Sequence, residues 1–507
     1  MKFYFEVIGI FIVNLSMAYA TIDPGKMISS NIDIGDPKIK GGIEYNPIDQ
    51  AFIQQGAGST AWKDRDACNF QYGELKGDFL LTANFEFIGQ QKTPSKMGWM
   101  VRESLDDDAA MFTGTLHSNL LAVAQYRLKA GATMLTQPID AQKRFLSILQ
   151  VERQGDLYTF RAAFPGEPLK ELGRQKMEVL GGNVFAGLFV SSQDAAVSGS
   201  ARIWNVRVER HVPDNYKTKN NRALGSRLEV MDVFTGQREL VWESPNRFEA
   251  PNWTPDGTGL IINMQGRLYR IPVSGGEPEQ IDTGFADRIN NDHGISFDGR
   301  WMAISHSSSL ESGDKGSAVY VLPLEGGTPS LVTERAPSYW HGWMPNNREV
   351  LYVAKRDPGM PFNIYMADIE TRVETPITTF DYGHVDGPEC DPRGDWIYYN
   401  GSQSGSMNIW RIRPDRTERQ ELTDDEYYDW FPHISPDGKW MVFLSYPGTI
   451  GLNAHPRYKK VMLRRMSLED TEPKPEVIAY LFGGQGTINV PSWSPDSRKV
   501  AFVSYSR

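Results

Sequence analysis

The stretch Pro432-His-Ile-Ser-Pro-Asp-Gly-Lys-Trp-Met-Val-Phe-Leu444 decides the fold. Pro436-Asp-Gly438 is a tight turn with a mechanism: Pro presets φ, Asp accepts from nearby donors, and Gly takes up positive φ. The residues behind it, Trp440 to Leu444, are apolar and strand-forming. Related stretches begin at Pro251, His293, His341, Pro388 and Pro491, so a turn flanked by two strands recurs six times, at intervals of roughly 40 to 60 residues. Most copies carry a third strand, as in Arg267-Leu-Tyr-Arg-Ile-Pro-Val273 and Asn408-Ile-Trp-Arg-Ile412. Units of this kind bury their apolar faces by radial stacking, which predicts a six-bladed β-propeller over residues 227–507. The last copy supplies only two strands before Arg507. The segments Arg227–Val233 and Glu239–Trp242 are expected to complete that blade, because an open ring would leave a sheet edge unpaired.

Residues 28–212 read differently. Apolar residues alternate in runs such as Asp78–Phe87, Gly98–Glu103, Phe145–Arg153 and Val184–Val190, separated by Gly, Pro, Asp and Asn. Period two with turns at this spacing predicts an antiparallel β-sandwich. Between the two units, residues 213–226 are polar and read as a solvated linker. At the start, Lys2, the apolar run Val7–Val13 and Ala18-Tyr-Ala20 fit a cleaved signal peptide over residues 1–20, which implies a periplasmic or secreted bacterial protein. No later stretch holds the roughly 18 apolar residues a membrane helix needs, so no membrane insertion is expected. A formal charge of -10 argues against nucleic acid as a partner. Cys68 and Cys390 fall in different units, so no disulfide scaffold is expected.

In a propeller the innermost strands line a central channel, so one slot of the repeat places six residues around one axis. Five residues before the one preceding the turn lie Glu249, Asn291, Tyr339, Asp386, Trp430 and Asn489. Three residues before it, four blades carry Pro, while two neighbouring blades carry His293 and His341. Glu389 and His433 share the next slot, and Trp340 adjoins His341. Two imidazoles with carboxylates nearby suit a divalent metal (Mn, Ca or Zn) held by His293, His341 and His433. Without a metal, His293, His341, Asp386 and Glu389 suit general acid–base work. Glu249, Asn291, Tyr339, Trp340, Trp430, Gln485 and Asn489 suit ligand contact, and Gly483, Gly484 and Gly486 would let backbone approach a ligand. Bland alternatives stand beside these: the histidines knit blades together, and Asp386 and Glu389 satisfy channel-facing N–H groups. Trp253, Trp343 and Trp493 are assigned to blade packing, Asp256, Asp298, Asp437 and Asp496 to turn formation, and His306, His384 and His455 to surface or loops.

The six repeats resemble those of TolB-type propellers. The run around Lys76–Phe79, Gly98–Arg102 and Phe185–Val190 resembles the concanavalin-like sandwich of lectins and glucanases. Propellers of this type also precede serine peptidase domains, but there is no Gly-x-Ser-x-Gly here, and no such activity is expected. TolB is periplasmic and binds partner proteins at its channel mouth without catalysis. The mouth also looks similar to that of oligogalacturonate lyases, where a metal held by histidines binds a substrate carboxylate. That likeness implies His293, His341 and His433 as ligands, with Gln485 as a fourth. The expectation is a metal-assisted lyase or hydrolase acting on an acidic oligosaccharide; the alternative is a non-catalytic module for a peptide or protein partner.

Overall fold

The computed structural model describes residues 27–58, 64–89, 91, 94–137, 146–210 and 224–506. The expected signal peptide and residues 213–223 of the expected linker lie outside them. The repeat turns form as their sequence dictates. In blade five, Gly438 adopts φ 73°, Asp437 Oδ1 accepts from Ser435 Oγ at 2.5 Å and from Lys439 N at 3.0 Å, and Gly438 N closes the turn on Ser435 O at 2.8 Å. Asp256, Asp298 and Asp496 accept in the same way. The Thr254 hydroxyl and neighbouring donors hold the Asp256 carboxyl down to about 2. These acids are turn formers.

Five four-stranded antiparallel sheets follow one another, with inner strands Glu249–Trp253, Ile289–Ile295, Ser338–Trp343, Val385–Cys390 and Tyr427–Ile434. The sixth sheet joins both ends of the propeller. Gly225–Asp232 pairs antiparallel with Lys499–Ser506 and, on its other side, with Arg238–Ser244. Its inner position is held by a single bridge, Trp493 to Val500. Six blades with this closure were expected. The closing strand starts at Gly225, so the last two residues of the expected linker belong to the propeller. Trp343 and Trp493 fasten neighbouring blades, donating from Nε1 to Gly294 O at 3.1 Å and to His433 O at 2.9 Å.

The N-terminal unit is two seven-stranded antiparallel sheets packed face to face. Phe85 and Trp99 meet edge-on in the core between them, 6.2 Å apart. The sandwich is tied to the propeller by polar links. Lys460 Nζ meets Glu152 Oε1 at 2.7 Å, Val477 N donates to Gly166 O at 2.8 Å, and Arg207 forks onto Glu229 of the closing strand at 3.2 and 3.3 Å. Cys68 and Cys390 are buried and free. No helix among the described residues is long and apolar enough to cross a membrane.

Candidate functional site

Every inner strand of blades one to five breaks register once before its turn. In blades one, four and five the break lies in the step that holds the proline, and the residue before it, Ala250, Gly387 or Phe431, takes φ near 60°. For Ala250 and Phe431 this is a costly left-handed conformation for a side-chain-bearing residue, and one not available to a regular strand. Gly387 has a further reason to be glycine: a Cβ there would lie 3.1 Å from Asn400 Oδ1 and 3.1 Å from the Phe431 ring. A bulge re-aims the side chains around it. Here the bulges turn Glu249, Asn291, Tyr339 and Asp386 into the channel mouth, where Asn489 of blade six joins them.

The mouth holds two adjoining cavities of about 280 and 340 Å³, which share Asn290, Asn291 and Gln485 as a common wall. The first is built on an ion pair. His341 Nε2 donates to Asp386 Oδ1 at 2.8 Å, and His384 Nε2 stands 3.7 Å from the other carboxylate oxygen, too far for a hydrogen bond. Burial works against charge on His341, yet the Asp386 and Asp292 carboxylates outweigh it and raise its pKa. Burial likewise opposes ionisation of Asp386, but the His341 charge and its hydrogen bond carry that carboxyl well below the usual range. Asp292 behaves oppositely. Burial pushes it up to about 6, while it accepts from Asn290 Nδ2 at 2.7 Å. His455, pushed down to about 4 by burial, lies against Trp430 with ring centroids 4.4 Å apart. Tyr339, Phe362 and Phe431 supply aromatic wall. Four side chains of this lining carry a buried nitrogen with no partner: His341 Nδ1, Asn291 Nδ2, His384 Nε2 and His455 Nδ1. The second cavity is more basic. Arg457 forks onto Glu249 Oε2 at 2.9 and 3.1 Å, and Arg247 lies beside them.

The site residues expected from sequence divide. Glu249, Asn291, Tyr339, His341, Asp386, Gln485 and Asn489 line the mouth. His293 does not. In blade three the residue excluded from pairing is His341 itself, whereas in blade two the break precedes His293, which pairs with Ile304. One step of register sends the ring to the other side of the strand. His293 is buried, with Nδ1 on Asn291 O at 3.1 Å and the Ile261 backbone of blade one beside it, and burial drives its pKa down to about 4. His433 also sits behind the mouth, both ring nitrogens facing acceptors: Glu389 Oε2 at 2.7 Å and Ile488 O at 2.6 Å. Glu389 is thereby spent on His433 and on Ile434 N. Trp340 is buried between blades two and three, over Gly294, and Trp430 backs the cavity through His455 and His384. Among the described residues, no group of three or more His, Cys, Asp and Glu side chains could hold a metal ion.

Several residues of the mouth had no assigned role in the repeat slots, among them Asp292, Phe362, Phe431 and four basic side chains. His384 and His455, read as surface or loop residues, line the first cavity; Arg247 and Arg457 line the second. His306, read in the same way, is buried on the strand Trp301–Ser309, away from both cavities. A signal for two of these existed. Residues 448–458 form the longest connection between the second and third strands of the five four-stranded blades, ahead of 355–362 in blade three, and this loop carries His455 and Arg457 to the mouth.

The buried Asp292 makes a pH prediction. Its folded pKa of about 6 lies above its ordinary 3.8, so its contribution to stability is full below pH 4 and is lost as pH rises through 6. Asp292→Asn is therefore expected to raise stability at pH 7.5 by at most about 3 kcal/mol and by only a few tenths near pH 4. Denaturant titrations at both values check this; an equal gain at both would rule out the carboxyl's ionisation as the cause.

No family model matches the chain. An uncharacterised protein of Agrobacterium fabrum is 45% identical over 284 residues, 56% of this chain and 93% of that protein. A solved structure from Agrobacterium tumefaciens, described provisionally as TolB, is 45% identical, covers 56% of this chain and 99% of its own, and superposes with a TM-score of 0.52. An oligogalacturonate lyase from Vibrio parahaemolyticus shares 12% identity over 52% of this chain and 72% of its own, with a TM-score of 0.33, too low to carry an argument. With six closed blades and this identity over nearly the whole of its relatives, the chain belongs to the TolB-like β-propeller proteins.

Proposed function

We propose that the chain is an exported bacterial binding module that takes a small polar ligand, or the end of a larger partner, into the propeller mouth without altering it covalently. The observation that carries this reading is the set of four buried, unpartnered nitrogens, His341 Nδ1, Asn291 Nδ2, His384 Nε2 and His455 Nδ1, on side chains that line one cavity. A buried polar atom without a partner costs about 1–3 kcal/mol, and a ligand that completes it recovers that cost. The cavities have the size and mixed aromatic and polar walls of small-molecule sites. Export rests on the reading of residues 1–20. The paired seven-stranded sheets support a concanavalin-like sandwich as a second recognition unit or a support.

A second reading, lyase or hydrolase chemistry on an oligosaccharide, is favoured by one observation. Asp386 holds His341 through Nε2 and leaves Nδ1 without a partner on a side chain that lines the cavity, the arrangement of a general base and its orienting acid. A divalent metal belongs to this reading, but His293, His341 and His433 do not converge to hold one, so it rests on His341 and Asp386. Calorimetry with oligosaccharides and peptides, with product analysis of each mixture, separates the two readings. Binding with unchanged ligand, weakened at least tenfold by Asn291→Leu, supports the module; Asn291→Leu without effect on any ligand bound would count against the mouth. Turnover abolished by His341→Gln would replace the module by the enzyme.

A further inference from the structure

Where the sandwich meets blade five, we infer a second ligand site, which takes a small amphiphile with an aliphatic body and a carboxylate head. This site shares no lining residue with the mouth, and nothing in it depends on what the mouth binds.

The links between the two units leave space beside them. Lys460 reaches Glu152, Val477 N donates to Gly166 O, and the Tyr480 hydroxyl donates to Glu167 O. Next to these contacts lies a cavity of about 460 Å³, larger than either cavity of the mouth. Both units build its walls: Leu80 and Leu169 come from the sandwich, and Ile450, Val461, Leu481 and Phe482 from blade five. Apolar side chains of two packed units gain by closing on one another. These stand apart by the volume of a small molecule, and clefts between domains are favoured ligand sites.

The polar groups of the lining say what the body is not. Gln150 is bonded to Thr82 and Arg161, Ser445 to Asp429 and Arg464, and Tyr480 to Glu167. A hydroxyl-rich ligand would find few partners among them, whereas a hydrocarbon chain needs none. Charge selects the head. Among the described residues the lining carries three cations, Arg161, Lys459 and Lys460, and no carboxylate. Arg161 and Lys460 converge on the single carboxylate of Glu152, at 2.6 and 2.7 Å, and that buried side chain is not part of the lining. Cations of one sign on a low-dielectric wall draw an anion and repel a cation. Their long stems can lie on the apolar wall while their heads hold a carboxylate.

The test titrates the full chain by calorimetry with four probes: octanoate, octan-1-ol, octyltrimethylammonium and acetate. Octanoate is expected to bind at least tenfold more tightly than octan-1-ol, and the ammonium and acetate should show no binding. Leu169→Asp on the sandwich wall and Thr449→Trp on the propeller wall should each weaken octanoate at least tenfold. Leu169 is half-buried and Thr449 exposed, so both variants should fold, which an unchanged thermal transition checks. Asn291→Leu at the mouth should leave octanoate affinity as it is. Octan-1-ol or the ammonium binding as tightly as octanoate overturns the carboxylate head, and acetate doing so overturns the aliphatic body. Octanoate binding that either wall variant leaves unchanged, or that Asn291→Leu abolishes, overturns the site. No binding of octanoate overturns the inference as a whole, and the mouth is still judged by its own oligosaccharide and peptide titrations.

Discussion

Replacing Glu229 by Ala is expected to destabilise the protein by about 3–5 kcal/mol, the cost of leaving buried cations without their counter-charge. Glu229 sits on Gly225–Asp232, the strand that closes the propeller, and its side chain is fully buried. It receives Arg207 from the sandwich at 3.2 and 3.3 Å and the Ser504 hydroxyl from the strand paired with it, and Arg238 stands 4.0 Å away. One carboxylate thus joins the sandwich, the first strand of the propeller and its last. Burial opposes its charge, but Arg207 and Arg238 hold its pKa below the ordinary value of 4.5. The contribution is therefore present above that value and lost as pH falls through the folded one. Glu229→Gln should lose most of the same stability at pH 7. Urea titrations followed by tryptophan fluorescence measure it, and a loss below about 1 kcal/mol for Glu229→Ala would show that ring closure does not depend on this junction.

The second large effect is expected at the mouth. Asp386→Ala removes the one partner of His341 Nε2 among the described residues and leaves an imidazole buried with both nitrogens unsatisfied. A stability loss of about 1–3 kcal/mol follows from the orphaned donor, together with at least a tenfold loss of ligand affinity. The two shifts fix the pH window. Asp386 is depressed, so its contribution is present above 3.8 and fades as pH falls below it. His341 is raised, so its contribution is present below 6.5 and fades as pH rises through its folded value. The difference between wild type and Asp386→Ala should therefore peak between about pH 4 and 6.5 and shrink on either side. A difference independent of pH would mean that the pair is a packing contact and not an ion pair.

The propeller was legible because its signals are local and repeated. A Pro-Asp-Gly turn before an apolar strand needs no partner to be recognised, and six of them leave one closed arrangement. The slot holding Glu249, Asn291, Tyr339, Asp386 and Asn489 was legible for the same reason: equal positions in equal strands reach one axis. His293 and His341 share a slot as well, yet they part company because the bulge in blade two falls before the histidine and in blade three falls on it. In blades one, four and five a proline marks the bulge, but blades two and three have histidine in that slot, so turn spacing does not report where their bulges fall. His384, His455, Arg247 and Arg457 stand outside the repeat slots, so aligning the repeats could not find them. The length of the 448–458 insertion marked the place where two of them enter, but not what they would meet there.

We place the ligand against His341, in the cavity it shares with His384 and His455. Histidine-edited NMR of the labelled full chain tests this placement, with each ring assigned from a His→Gln variant and, as titrant, the oligosaccharide or peptide that binds by calorimetry. Binding should move the ring signals of His341, His384 and His455 together and leave those of His117 in the sandwich and His306 on blade two in place. A ligand that binds by calorimetry and shifts His117, while His341, His384 and His455 stay still, would contradict this placement.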